Sequence, residues 1–283
     1  MAQARERGMS GKARTLPRPL PKRSLGQHFL EDAGVAAAIV GECAVRAPGA
    51  QGVLEVGPGT GVLTGGLLSI GLPTVAIEMD DLLAEALAAR FNGLRVVAGD
   101  ARGVDLEALS GEAGVARWLV AGNLPYNAGT AIARRILGQP ARVASAVWML
   151  QLEVVQKLSA VPGEPAYGAL AAWLGAWWRV RKCFNVPPGA FRPQPKVTSA
   201  VCAVDPLESA LLKAEDAAGF EAFLAGSFAQ PRKTLLTNLT RMLGPRASWE
   251  ADFDSLSLDV RIRAGDVPAG RFVRLFERWK GRA

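Results

Sequence analysis

Apolar residues recur at helical spacing from Val35 to Arg46, and beyond them short β-rich runs alternate with helical ones. Val53 to Val56 reads as a buried strand running into glycines, Leu63 to Ile70 as a helix, Thr74 to Ile77 as a strand and Leu82 to Phe91 as a helix. Leu94 to Ala98, Trp118 to Ala121 and Ala144 to Leu150 are further strand runs, with helical segments at Ala131 to Leu137 and Val154 to Leu158. Strands alternating with helices imply right-handed crossovers and a parallel sheet covered on both faces. After Tyr167 the pattern changes. An apolar helix from Ala169 to Trp177 leads into Trp178 to Val186, a proline-rich loop from Pro187 to Pro195, and Val197 to Val204. Two β-rich runs around a loop predict an antiparallel hairpin closing one edge of the sheet, which brings the strand count to seven. Beyond Pro206 only helical patterns remain: Ala217 to Phe228, Leu235 to Leu243 and Gly270 to Lys280. The expected organisation is a tail at 1–23, an α/β domain at 24–205 and a small helical domain at 206–283.

The chain is 283 residues long and 49% hydrophobic, enough for a sizeable core and too apolar for a disordered chain. No run free of both charges and prolines reaches the ~20 residues of a membrane span. Pro17, Pro19 and Pro21 lie among arginines where a secretory signal would be apolar, so a cytoplasmic protein is expected. The three cysteines form no CxxC pair and the single histidine no HxxxH pair, so no metal site is readable and buried, reduced thiols are expected. Charge is informative by region. Residues 1–23 carry seven Lys or Arg against one acid, residues 24–165 nine against fourteen, and residues 166–283 seventeen against eleven. An acidic middle between basic ends fits a polyanion gripped at the flanks, or simply a solvated surface.

Chemistry concentrates at the predicted strand ends. The first strand runs into Glu55, Val56, Gly57, Pro58, Gly59, Thr60, Gly61, a glycine turn on which a ligand can lie. A dinucleotide fingerprint needs another glycine at position 62, which is Val62, so the spacing argues for an adenosine ligand other than NAD. The second strand ends in Glu78, followed by Met79 and Asp80; a carboxylate there can accept both hydroxyls of a ribose. The third ends in Gly99, Asp100, Ala101, where an acid can accept from an adenine amino group. A lone acid at a strand end is commonly a helix cap; two in succession after a glycine turn point to a ligand. After the fourth strand, Asn123 and the Leu124 carbonyl offer acceptors to an amine, and Tyr126 a flat face for a base.

Together these segments resemble the S-adenosylmethionine-dependent ribosomal RNA adenine N6-dimethyltransferases. The resemblance rests on EVGPGTG (Glu55–Gly61), EMD, GDA and NLPYN (Asn123–Asn127), with GQHFL (Gly26–Leu30) upstream and FRPQPKVTS (Phe191–Ser199) and RKTLLTNL (Arg232–Leu239) downstream. It implies a Rossmann-like class I methyltransferase fold with a mostly parallel seven-stranded sheet and a small C-terminal α-helical domain. By the resemblance, Gln27 and His28 contact the cofactor's methionine end, with a lid near Leu30. Gly57, Gly59 and Gly61 pass beneath the cofactor and Glu55 supports that loop. Glu78, with Met79 beside it, takes the ribose; Asp100 and the Ala101 backbone take the adenine; Asn123 sits near the sulfonium. The target adenine is held by Asn123, Leu124 and Tyr126, with Phe191 as a second stacking surface, and RNA meets Arg232 and Lys233. The implied substrate is small-subunit ribosomal RNA in a maturing 30S particle, dimethylated at two adjacent adenosines near its 3′ end by a monomeric enzyme.

Two positions depart from the family pattern: Leu152 stands in place of a lysine and Pro231 in place of an arginine. The alternatives are a resistance-type methyltransferase of large-subunit RNA, which commonly reads NIPY instead of NLPY, and a nucleic-acid-binding relative without activity. Trp173, Trp177 and Trp178 at helical spacing read as core in preference to an RNA platform. Arg179, Arg181 and Lys182 read equally as an exposed face or an RNA rail.

Overall fold

The computed structural model describes residues 27–281, and the basic segment 1–23 lies outside them. Strands are β1 (Phe29–Leu30), β2 (Gly52–Val56), β3 (Thr74–Glu78), β4 (Leu94–Ala98), β5 (Trp118–Asn123), β6 (Val143–Gln151), β7 (Trp178–Val186), β8 (Phe191–Arg192) and β9 (Ser199–Pro206). Helices are α1 (Ala33–Arg46), α2 (Thr64–Leu68), α3 (Asp81–Arg90), α4 (Leu106–Ala113), α5 (Gly129–Leu137), α6 (Leu152–Ser159), α7 (Ala169–Leu174), α8 (Ala217–Ser227), α9 (Leu235–Leu243), α10 (Arg246–Ser255) and α11 (Ala269–Lys280).

Seven strands form one sheet in the order β4-β3-β2-β5-β6-β9-β7. β2 pairs parallel with both β3 and β5, so the connections leave it in opposite directions and open a crevice beyond its C-terminal end. The expected hairpin is present: β9 runs antiparallel to β6 on one side and to β7 on the other. β2, β3 and most of β5 are buried, which explains why they read as unbroken apolar runs. One core cluster covers each face of the sheet. The cluster around α1 holds Ile39, Cys43, Leu67 and Met149. The other runs from Leu54, Trp118 and Trp148 without interruption into Trp173, Phe220, Phe223 and Phe276.

The helical segment after Pro206 thus shares its core with the sheet. α7 packs on α8 and α11. The three tryptophans are buried as expected, and each indole N–H is satisfied: Trp173 donates to the Ala217 carbonyl (3.2 Å), Trp177 to Leu212 (2.7 Å) and Trp178 to Leu137 (3.1 Å). Buried indoles with backbone partners are core residues, and no RNA platform is built from them. α7 ends at Leu174, three residues before the predicted end, because the chain turns at Gly175. β9 begins at Ser199, not Val197, since Lys196 and Val197 are exposed in the loop. Arg179, Arg181 and Lys182 are exposed on the edge strand β7, with Arg181 paired to Glu42. Leu152, the departure from the family lysine, packs against the core. Cys43 and Cys202 are buried as expected, and burial pushes their thiols up to about 12, whereas Cys183 on β7 is only partly buried.

Glu55 at the end of β2 is 1% exposed, and its Oε2 accepts the Thr64 hydroxyl at 2.7 Å, tying the strand to α2. Burial raises its pKa to about 7, against the opposing pull of the Thr64 bond and with help from the Glu78 charge.

Two predictions follow from this packing. Between its ordinary pKa of 4.5 and about 7, folded Glu55 holds a proton that the unfolded chain has released, so stability falls as pH rises through that window. In Glu55→Gln the drop in unfolding free energy from pH 5 to pH 8, measured in urea, is smaller than in the wild type by about 2–3 kcal/mol; an identical drop in both proteins contradicts the assignment. Phe223→Ala, in the aromatic cluster formed with Trp249, Phe276 and Trp279, costs about 3–5 kcal/mol in the same measurement.

Candidate functional site

A cleft of about 290 Å³ opens where the C-terminal ends of β2, β3, β4 and β5 converge. Four of its lining residues, Gly57, Glu78, Asp100 and Asn123, stand at or just beyond those four strand ends, so the parallel register alone collects them.

The glycine turn forms the floor. Gly59 has φ +57°, and a Cβ there would meet the Phe29 ring at 3.1 Å. Its N–H donates to Glu78 Oε2 at 3.0 Å, while Glu78 Oε1 accepts from the Asp80 N–H at 2.9 Å. Burial raises the Glu78 pKa, and the backbone N–H bonds from Asp80, Gly59 and Met79 oppose the rise. Met79 is half exposed on the cleft wall. Gly61 does not line the cleft. A Cβ at this φ +80° position would come within 2.6 Å of the Phe91 ring, so glycine is required for helix packing and not for a ligand. Glu55 lies behind the floor, bordering a hollow of about 30 Å³ together with Leu30 and Asn123.

Asp100 and Ala101 line the far end of the cleft. Asp100 Oδ1 accepts from the Arg102 N–H at 2.9 Å, and Oδ2 accepts from the Arg102 guanidinium Nε at 2.8 Å. The Arg102 guanidinium accordingly holds the Asp100 carboxyl below the usual carboxylate range. The sequence reading passed over Arg102; its only signal is its place directly after GDA.

At the near end, Asn123 Nδ2 donates to the His28 carbonyl at 3.0 Å. That carbonyl requires a donor, which fixes the amide orientation and leaves Asn123 Oδ1 buried with no partner. Leu124 is buried, its N–H bonded to the Met149 carbonyl at 3.1 Å. The Tyr126 hydroxyl bonds Ser199 Oγ, and its ring lies 5.1 Å from the His28 ring. His28 Nδ1–H donates to the Pro193 carbonyl at 2.7 Å. Gln27, His28, Asn123, Leu124 and Tyr126 therefore line one cavity.

Phe191 does not join them. In the two-residue ladder of β1 and β8, Phe191 stands directly opposite Leu30, and both side chains turn into the core, at 5% and 4% exposure. Alternation puts their neighbours on the other side: Phe29 faces the cleft and Arg192 is exposed. Phe29, a residue the sequence reading did not single out, is thus the ring of this ladder that lines the cleft, over Gly59, and Leu30 is a core residue beside the hollow. Arg232 and Lys233 are exposed in the turn between α8 and α9 and are not among the residues lining the cleft.

The lining fits an adenosine-bearing cation: the Glu78 and Asp100 carboxylates line the cleft, and Asn123, whose buried amide oxygen has no partner, stands at its other end. Among the described residues, no group of His, Cys, Asp or Glu is arranged to hold a metal, and no helix is long and apolar enough to cross a membrane.

Known proteins agree with this geometry. Residues 20–280 match the profile of the ribosomal RNA adenine dimethylases. The ribosomal RNA small subunit methyltransferase A of Xanthomonas euvesicatoria pv. vesicatoria (strain 85-10) is 38% identical over 257 residues, spanning 90% of this chain and 94% of that protein. Its namesake from Magnetococcus marinus is 37% identical, spanning 90% of each. Among solved structures, the 23S rRNA methyltransferase ErmE aligns with TM-score 0.67 at 25% identity, over 89% of this chain and 99% of that one. A dimethyladenosine transferase from Plasmodium falciparum shares the fold with TM-score 0.72 at 23% identity, over 90% of this chain and 98% of that one. With the profile running through almost all the described residues, and with relatives this similar over nine-tenths of its length, the chain belongs to the ribosomal RNA adenine dimethylase family.

Proposed function

We propose that the protein dimethylates N6 of two adjacent adenosines near the 3′ end of small-subunit ribosomal RNA, acting as a monomer on a maturing small subunit in the cytoplasm. The single observation that carries the chemistry is the orphaned Asn123 Oδ1, a buried acceptor that has lost water and gained no protein partner. An adenine amino group supplies the missing donor. The names of the relatives, Leu124 in NLPYN and the RKTLLTNL segment support the small-subunit target over the large-subunit one.

S-adenosylmethionine, the cofactor of this reaction, supplies an electrophilic methyl group on a sulfonium. Glu78 would take its ribose hydroxyls and Asp100 with the Ala101 backbone its adenine. Gln27 and His28 would meet its methionine end over Gly57 and Gly59. The exocyclic nitrogen of the target adenine is a poor nucleophile while its lone pair is delocalised into the ring. Hydrogen bonds from that nitrogen to Asn123 Oδ1 and the Leu124 carbonyl draw it toward tetrahedral geometry and aim the lone pair. No described N–H or O–H competes for the Leu124 carbonyl. Positioning and electrostatics then carry the rate, without a strong base. The base must leave its stack to enter, and Tyr126, braced by Ser199 and His28, recovers part of that cost by stacking. The methylated N6 releases its extra proton to water, and the single N–H left bonds one of the two acceptors at a time when the monomethylated base is held for the second transfer. Arg232 and Lys233 would hold RNA phosphates outside the cleft.

The test is nucleoside mass spectrometry after incubation with S-adenosylmethionine and either small-subunit particles lacking the modification or protein-free large-subunit RNA. N6,N6-dimethyladenosine from the small-subunit particles alone is the expected result. Product from large-subunit RNA alone, or none from either with the cofactor bound, overturns it. Asn123→Ala lowers the single-turnover rate by about 10²–10³-fold while cofactor binding persists. Tyr126→Ala raises KM for the particle about 10-fold or more, and Tyr126→Phe, which keeps the stacking face, changes it by less than about 3-fold.

A further inference from the structure

Among the described residues lining the cleft, Arg102 is the only Lys or Arg. All of its recorded polar contacts go to one side chain two positions earlier: its backbone N–H to Asp100 Oδ1 at 2.9 Å, and Nε at 2.8 Å and Nη2 to Oδ2. An exposed ion pair of this kind, with the two side chains 55% and 35% exposed, adds little to stability, so its effect lies in what it does to Asp100. A carboxylate offers about four acceptor positions. Two N–H groups occupy Oδ2 and one occupies Oδ1, which leaves the open acceptor on Oδ1, beside the buried Ala101.

We propose that Arg102 is a positioning residue for the cofactor, locking the Asp100 carboxylate as a fixed acceptor that receives the amino group of adenine and repels a carbonyl oxygen at the same ring position. This rests on the reading of Asp100 as the acceptor for the cofactor's adenine. Without the guanidinium the carboxylate is held only by the backbone N–H of residue 102 on Oδ1, and it discriminates less.

The experiment is calorimetric titration of the full chain with S-adenosylhomocysteine and with its 6-oxo analogue, S-inosylhomocysteine. Wild type, Arg102→Met, Arg102→Lys and Asp100→Ala are compared, each with its melting temperature. Arg102→Met is expected to weaken S-adenosylhomocysteine about 10-fold, the scale of one charge-assisted contact, and to lower the adenosyl-to-inosyl affinity ratio, with the melting temperature unchanged. Arg102→Lys restores part of both. Unchanged or tighter binding by Arg102→Met, while Asp100→Ala binds poorly, overturns the role of Arg102 alone. Unchanged binding by Asp100→Ala removes the underlying reading of Asp100 and the inference with it.

Discussion

The hydrogen bond from Asn123 Nδ2 to the His28 carbonyl sets what the site can do. It spends the amide's donor on the backbone and leaves its acceptor buried and unmatched. A buried oxygen in that condition carries a desolvation cost until a donor arrives. The bond also requires three distant segments to meet. β5 must deliver Asn123 to the end of the sheet, β1 must hold His28 over it through the ladder with β8, and the chain from β8 into β9 must present Pro193 to the His28 ring and Ser199, the first residue of β9, to Tyr126. Loss of any one of these releases the others.

Electrostatics divides the molecule between two ligands of opposite charge. The cleft carries the Glu78 and Asp100 carboxylates, which suits a cationic cofactor. The surplus of positive charge lies in the chain's two ends, with Arg232 and Lys233 exposed, which suits a polyanion. The cofactor end is built on strand termini, whose positions the sheet fixes. The residues assigned to RNA sit on turns, where positions are less constrained by the core.

Much of this was legible in the sequence because parallel strands buried on both faces leave continuous apolar runs, and because their C-terminal ends share one edge. Glu78, Asp100 and Asn123 could be collected into one cleft from those two facts alone. What escaped depends on pairings that local pattern does not carry. The orientation of Phe191 is set by a two-residue ladder with Leu30, more than 150 residues away. The need for Gly61 comes from Phe91, just past the end of α3, not from a ligand. α4 went unread although Asp105 caps its first turn, and α10 went unread because polar residues interrupt its apolar stripe. The continuity of the core from Trp118 to Phe276 is a tertiary fact that a boundary drawn at Pro206 does not reveal.

The most direct measurement is a crystal structure of the protein with S-adenosylhomocysteine and a short adenosine-containing RNA. The account predicts the extruded adenine with its N6 within hydrogen-bond distance of both Asn123 Oδ1 and the Leu124 carbonyl, while Nδ2 remains on the His28 carbonyl. An adenine bound with Asn123 turned away, or with Oδ1 bonded inside the protein, would contradict it.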